Sequence, residues 1–211
     1  MVRGCLAMPD ITTAPLILVL VAVFGYLLGS VPFGIVVARI FGLGDLRKVG
    51  SGNIGATNVL RTGNKFAAGL TLVLDSGKGA FAVLIARLLA GEDAAQLAGL
   101  SAFLGHLYPV WIGFKGGKGV ATFLGTLIAL APGLGFFVCG VWLATAFVFR
   151  YSSLSALAAA AAAPIAAWTI SFASFQSLTL LCIVLAAMVW IRHHSNISRL
   201  LKGEEPKIGR S

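Results

Sequence analysis

The 211-residue chain is 58% hydrophobic and only 11% charged, with a mean hydropathy of +0.95. A soluble domain carries about 25% charged residues, and a core of this length cannot hide so much apolar surface, so an ordinary water-soluble globule is excluded. Sixteen Lys and Arg against seven Asp and Glu leave a net charge of +9, an excess that a membrane protein gathers in its cytoplasmic loops.

A bilayer core about 30 Å thick takes about 20 apolar helical residues to cross. Residues 14–38 contain no Asp, Glu, Lys or Arg and predict the first span. Arg3 ahead of this run imitates a signal peptide, but the run is longer than an h-region of about 7 to 15 residues, so it reads as a retained helix. Residues 66–86 form the second span although Asp75 and Lys78 lie in its middle. At i, i+3 these two can neutralise one another inside the bundle, with Gly77 and Gly79 permitting close packing. Residues 94–112 make a third span.

The charge-free run 119–149 is long for one crossing and short for two, with Pro132-Gly133 as its candidate turn. Charge arbitrates. Two crossings, 118–131 and 134–149, return Arg150 and the basic tail to the side that holds residues 39–65, Lys115 and Lys118. Thirteen of the sixteen basic residues then share one face. The run 151–191 supplies spans 152–170 and 174–191, with a turn near residues 171–174 and Pro164 as a candidate kink. The expected architecture is an all-α integral membrane protein. It is a seven-transmembrane-helix bundle formed by one membrane domain over residues 1–211, with the N-terminus outside and the C-terminus cytoplasmic.

This topology puts the Gly-rich, hydroxyl-bearing and basic segments on the inner face: residues 47–61, 105–109, 114–119, 150–153 and 192–200. Glycine lets backbone N–H groups approach an anion, Ser, Thr and Asn add neutral donors, and Lys and Arg neutralise charge. Such loops suit phosphate. Gly116-Gly117-Lys118-Gly119 also opens a helix, where free N–H groups and the dipole favour an anion. Gly50, Gly52 and Gly55 match a dinucleotide fingerprint, yet that motif requires a preceding strand, and here it follows a membrane helix. Cys5, Cys139 and Cys182 lack zinc-ligand spacing. His106, His193 and His194 flank the loops, but none is followed four residues on by Asp, so no acid/base dyad is visible. A transporter or flippase for a phosphorylated molecule remains the alternative, with Asp75 and Lys78 as its midplane foothold.

Ser51-Gly-Asn-Ile-Gly-Ala-Thr-Asn58 with Arg61, Gly105-His-Leu-Tyr-Pro109 running into Phe114-Lys-Gly-Gly-Lys-Gly-Val-Ala-Thr122, and His193-His-Ser-Asn-Ile-Ser-Arg-Leu200 resemble three motifs of one family. That family is the bacterial acyl-phosphate:glycerol-3-phosphate acyltransferases of the PlsY type. The resemblance runs from about Gly29 to Gly203. It implies transfer of a fatty acyl group from acyl phosphate to sn-glycerol 3-phosphate at the bacterial inner membrane, facing the cytoplasm. The products are lysophosphatidic acid and phosphate, a step of phospholipid biosynthesis. Direct use of acyl-CoA or acyl carrier protein is not implied, and the His-x4-Asp motif of other acyltransferases is absent.

Because phosphate is already a good leaving group, placement and charge stabilisation dominate the expected chemistry. Lys118, Arg47 and His193 are the expected catalytic groups, with the amides of Gly116 and Gly117 beside Lys118 on phosphate. Ser51, Gly52, Asn53, Thr57, Asn58 and Arg61 shape the pocket and Asn196 closes it. His106, Ser30, Ser152 and Ser153 are further substrate contacts. No metal or organic cofactor is expected, and the partners are the two substrates and membrane lipid, with no nucleic acid and no obligate protein partner.

Overall fold

A computed structural model describes residues 9–169 and 177–209, and every regular element among them is helical. In chain order the helices are α1 (Pro15–Gly29), α2 (Phe33–Ile40), α3 (Ala56–Leu60), α4 (Lys65–Ala90), α5 (Glu92–Leu107), α6 (Val120–Leu130), α7 (Pro132–Phe149), α8 (Ser152–Thr169), α9 (Thr179–Arg192) and α10 (His194–Leu201).

Local chemistry sets the breaks. The first apolar run is not one helix over 14–38. Pro32 has no N–H to donate and disfavours helix in the residue before it, so α1 stops at Gly29 and α2 starts at Phe33. Asn64 caps α4, its Oδ1 accepting from the Ala67 amide at 2.9 Å. Gly91, with φ of 103°, turns α4 into α5. The expected turn at Pro132 is present: Ala131 leaves helical geometry, and Pro132 takes the first position of α7, where its missing donor costs nothing. α8 continues through Pro164. The expected turn at 171–174 lies outside the described residues.

Among the described residues, three segments are long and apolar enough to cross a bilayer: Pro15–Ile40, α7 and α8. The pair α9 and α10 also qualifies, bent by 61° at His193. α4 has the length but carries Lys65, Asp75, Lys78 and Arg87. α6, at 11 residues, is about 16 Å long, half a bilayer core.

Glycines bring the helices together. A Cβ on Gly29 would lie 2.0 Å from the Ala102 carbonyl oxygen, pressing α1 on α5, and one on Gly125 would lie 2.1 Å from that of Ser76, pressing α6 on α4. Close backbone approach of this kind is how membrane helices gain packing energy without a hydrophobic drive between them. The core lies among α5, α6, α7, α8 and α9, around Phe103, Phe123, Leu127, Leu134 and Leu185. Large apolar side chains cover the outside, with Leu16 71%, Leu88 80% and Phe147 87% exposed. A surface so apolar fits lipid and not water.

Candidate active site

The first polar loop is folded around one side chain. Asn58 is 1% exposed. Its Nδ2 donates to the Leu46 carbonyl at 2.9 Å, and its Oδ1 accepts from the Ser51 amide at 3.1 Å and from Arg61 Nη1 at 3.3 Å. Gly50 and Gly52, with φ of 49° and 68°, supply the left-handed turns this wrap requires. Thr57 then reaches Ser152 at the start of α8, hydroxyl to hydroxyl at 3.1 Å.

The second loop is clipped to the end of α5. The Gly116 amide donates to the Leu107 carbonyl at 3.2 Å and the Gly117 amide to the His106 carbonyl at 3.1 Å. Both glycine carbonyls accept from Arg192 Nη2 at 3.1 Å, and the same guanidinium lies 5.4 Å from the Tyr108 ring centre. The loop thus presents Lys118 at the threshold of α6.

The bend between α9 and α10 supplies the third wall. His193 is 3% exposed, and its Nδ1 donates to the Val189 carbonyl at 2.7 Å. A carbonyl can only accept, so this bond makes Nε2 the acceptor nitrogen of the neutral ring. Lys118 Nζ donates to Asn196 Oδ1. Asn196 Nδ2 in turn donates to Glu205 Oε1 at 2.6 Å, Ser153 Oγ donates to the same oxygen at 2.7 Å, and Arg199 Nε donates to Oε2 at 2.7 Å. Burial alone would raise the Glu205 carboxyl. The three donors outweigh it and hold the group below the ordinary carboxylate range.

These walls enclose a cavity of about 580 Å³. Its polar end is lined by Ser51, Asn53, Thr57, Asn58 and Arg61 from the first loop, Lys118 from the second, Ser152 and Ser153 from α8, and His193 and Asn196 from the bend. Val120 and Ala121, whose helix-opening N–H groups have no partner inside α6, line it too. The same cavity continues between α4, α6 and α7 along Leu72, Leu124, Ile128, Cys139, Trp142 and Leu143. A polar, basic mouth therefore opens into an apolar groove, a shape suited to an amphiphile with an anionic head.

Several expected contacts are absent from this lining. Arg47 is exposed outside the cavity, because Leu46 takes the buried position of its 3₁₀ turn at 2% exposure and sends its neighbour to solvent. Ser30 is fully buried at the α1–α5 contact, its hydroxyl donating back to the Tyr26 carbonyl at 2.7 Å. Gly52 turns the loop without lining the cavity. The Gly116 and Gly117 amides are occupied by α5 carbonyls, so the helix-opening amides of α6 replace them as candidate anion donors. His106 does line the cavity, but its Nδ1 faces Asp75 and its Nε2 side faces Gly117. In the other direction, Glu205, Arg192 and Arg199 were not among the expected site residues. No spacing or periodicity in the polar tail marks Glu205 as buried.

Comparison with known proteins bears on this amphiphilic cavity directly. The family model for glycerol-3-phosphate acyltransferase matches residues 19–203. The chain belongs to that family. A glycerol-3-phosphate acyltransferase of Jannaschia sp. (strain CCS1) is 64% identical over 203 residues, covering 96% of this chain and 98% of the relative. One from Cereibacter sphaeroides (strain ATCC 17025 / ATH 2.4.3) is also 64% identical, covering 96% and 95%. Among solved structures, PlsY (YgiH), an integral membrane glycerol 3-phosphate acyltransferase, matches in its glycerol 3-phosphate form with a TM-score of 0.85. The identity is 42%, over 91% of this chain and 96% of that one. Its lysophosphatidic acid form matches with a TM-score of 0.81 at 38% identity, over 91% and 95%. The family inferred from three loop motifs is the family found, and the chain is an acyltransferase with the helical fold of an integral membrane protein.

Proposed function

We propose that the cavity holds acyl phosphate and glycerol 3-phosphate together and transfers the acyl group between them. The observation that carries this reading is the continuity of the polar mouth with the apolar groove. Of the two reactants only the donor has an alkyl chain, and the groove along Leu124, Ile128, Cys139 and Trp142 matches it in character. Both reactants carry a phosphate, and Lys118, Arg61 and Lys65 are cations lining the cavity, with Lys118 beside the first turn of α6.

The acceptor hydroxyl oxygen forms a bond to the acyl carbonyl carbon, the bond from that carbon to the phosphate oxygen breaks, and inorganic phosphate departs. A phosphate oxygen takes the hydroxyl proton. His193 lines the pocket beside the acceptor, while Lys118 stabilises negative charge on the oxygens, held in place by Asn196. Two oriented reactants and a good leaving group need no strong protein base.

The same proposal includes seven crossings of the bacterial inner membrane: α1 with α2, then α4, α5, α6, α7, α8 and α9. The N-terminus is outside and the site faces the cytoplasm. The charge asymmetry supports this arrangement. The short α6 supports it too, because a helix of about 16 Å starts well inside the bilayer, where its first turn can meet both a lipid-borne donor and a soluble acceptor. The outer end is closed by Asp93, whose carboxylate accepts from the Thr12 and Thr13 amides at 2.9 and 2.8 Å.

The test is direct. Purified protein given labelled glycerol 3-phosphate and palmitoyl phosphate is expected to release lysophosphatidic acid and phosphate in equal amounts, and to make no product from palmitoyl-CoA. Absence of product, or equal turnover of the thioester, contradicts the reading. Transport into vesicles without acylation would favour the transporter alternative.

A further inference from the structure

Three buried ionisable side chains carry none of the steps above, although Asp75 and His106 line the inner wall of the same cavity. Asp75 is 2% exposed, Lys78 4% and His106 5%. The Lys78 ammonium lies 2.8 Å from Asp75 Oδ1 and donates to the Val31 carbonyl at 2.9 Å, in the break between α1 and α2. The same Asp75 oxygen lies 3.5 Å from His106 Nδ1. The opposite edge of the imidazole is covered by Gly117: a Cβ there would stand 2.2 Å from His106 Nε2. The His106 carbonyl holds the Gly117 amide as well. One residue of the loop is therefore fixed by both the backbone and the ring of His106, and the next residue is Lys118. Thr122, one turn into α6, donates to the Asp75 backbone carbonyl at 2.9 Å, which ties α6 to α4 just beyond the loop.

Buried charge in a membrane helix is costly unless paired, and by default it marks function. A pair that served only to neutralise itself needs no histidine on its flank, and no glycine loop resting on that histidine. We infer that Asp75 and His106 are positioning residues for the acyl-transfer site. The carboxylate, itself steadied by Lys78, fixes the imidazole. The imidazole is the platform on which Gly117 rests, and the platform sets the position of Lys118. The cluster acts through Lys118. The inference rests on the function proposed above, because it takes Lys118 as the group that stabilises the departing phosphate.

The experiment is a double-mutant cycle in the full-length protein, read as kcat/KM with palmitoyl phosphate and glycerol 3-phosphate. Misplacing a catalytic group by about 1 Å costs on the order of 100-fold, so Asp75→Asn alone is expected to lose about 100-fold. In a Lys118→Ala background the same change is expected to lose less than about threefold, because the group it positions is gone. A loss of equal size in both backgrounds, or no loss in either, overturns the inference.

A parallel pair covers an Asp75 variant that fails to insert. His106→Asn keeps a donor near the Nδ1 position and is expected to retain most activity, whereas His106→Leu loses it. Equal activity of the two refutes the platform. Failure of the underlying reading looks different: the unmutated protein would then make no lysophosphatidic acid at all.

Discussion

Lys118→Ala is expected to lower kcat by about 10²- to 10³-fold while leaving insertion and helix content unchanged. The lysine has no carboxylate of its own in the structure. Its hydrogen-bond acceptor is the neutral Asn196 amide oxygen, so its charge is held available at the mouth of the cavity. Removing one preorganised donor from developing negative charge costs about 10² to 10³ in rate. The loss falls on kcat more than on KM if the charge develops mainly in the transition state. Lys118→Arg restores the charge but exchanges a compact ammonium for a planar fork, and is expected to remain about tenfold or more below the natural protein. Steady-state kinetics on detergent-purified variants checks both. Turnover of Lys118→Ala within about threefold of the parent removes the residue from the mechanism.

Glu205→Ala is expected to weaken both fold and activity. One carboxylate accepts from Ser153, Asn196 and Arg199, tying the tail to α8 and to α10. Truncation leaves those three donors without their shared acceptor and releases Asn196 from the side opposite Lys118. Arg199 is 33% exposed, so the main cost is that of leaving the buried donors unpaired, about 1–3 kcal/mol, and a loosened Asn196 is expected to add about tenfold or more in kcat/KM. Glu205→Gln keeps the shape but turns a donor toward donors, so it recovers only part of either quantity. Thermal unfolding in detergent beside kinetics reads the two effects separately. A Glu205→Ala variant with the parent's stability and turnover contradicts the role given to the tail.

What the sequence could reveal was set by the range of the interactions involved. The division of residues 118–149 was legible because charge balance and a proline at the right place agree, and α7 does begin at Pro132. The break at Pro32 was harder to see, because an apolar run reports contact with lipid and not helical continuity. Within the break the Val31 carbonyl accepts from the Phe33 amide and from Lys78, 47 residues away. The polar loops were legible by composition, but side-chain direction was not. A shift of one residue in a 3₁₀ turn buries Leu46 and exposes Arg47. Gly116 and Gly117 are small for a different reason from the one their motif suggests, since they let the chain lie against the end of α5. His106 and Asp75 show no mutual spacing in the chain and meet only because α4 and α5 pack side by side.

The claim on which the account depends is that these separated loops share the cytoplasmic face. Single cysteines placed at the exposed positions Lys48, Lys115 and Lys202, with the three natural cysteines replaced, can be probed by a membrane-impermeant maleimide in sealed inside-out and right-side-out vesicles. All three are expected to label only in inside-out vesicles, and a cysteine at Asp10 only in right-side-out ones. Labelling of Lys48→Cys and Lys115→Cys from opposite sides would contradict a single cytoplasmic cavity.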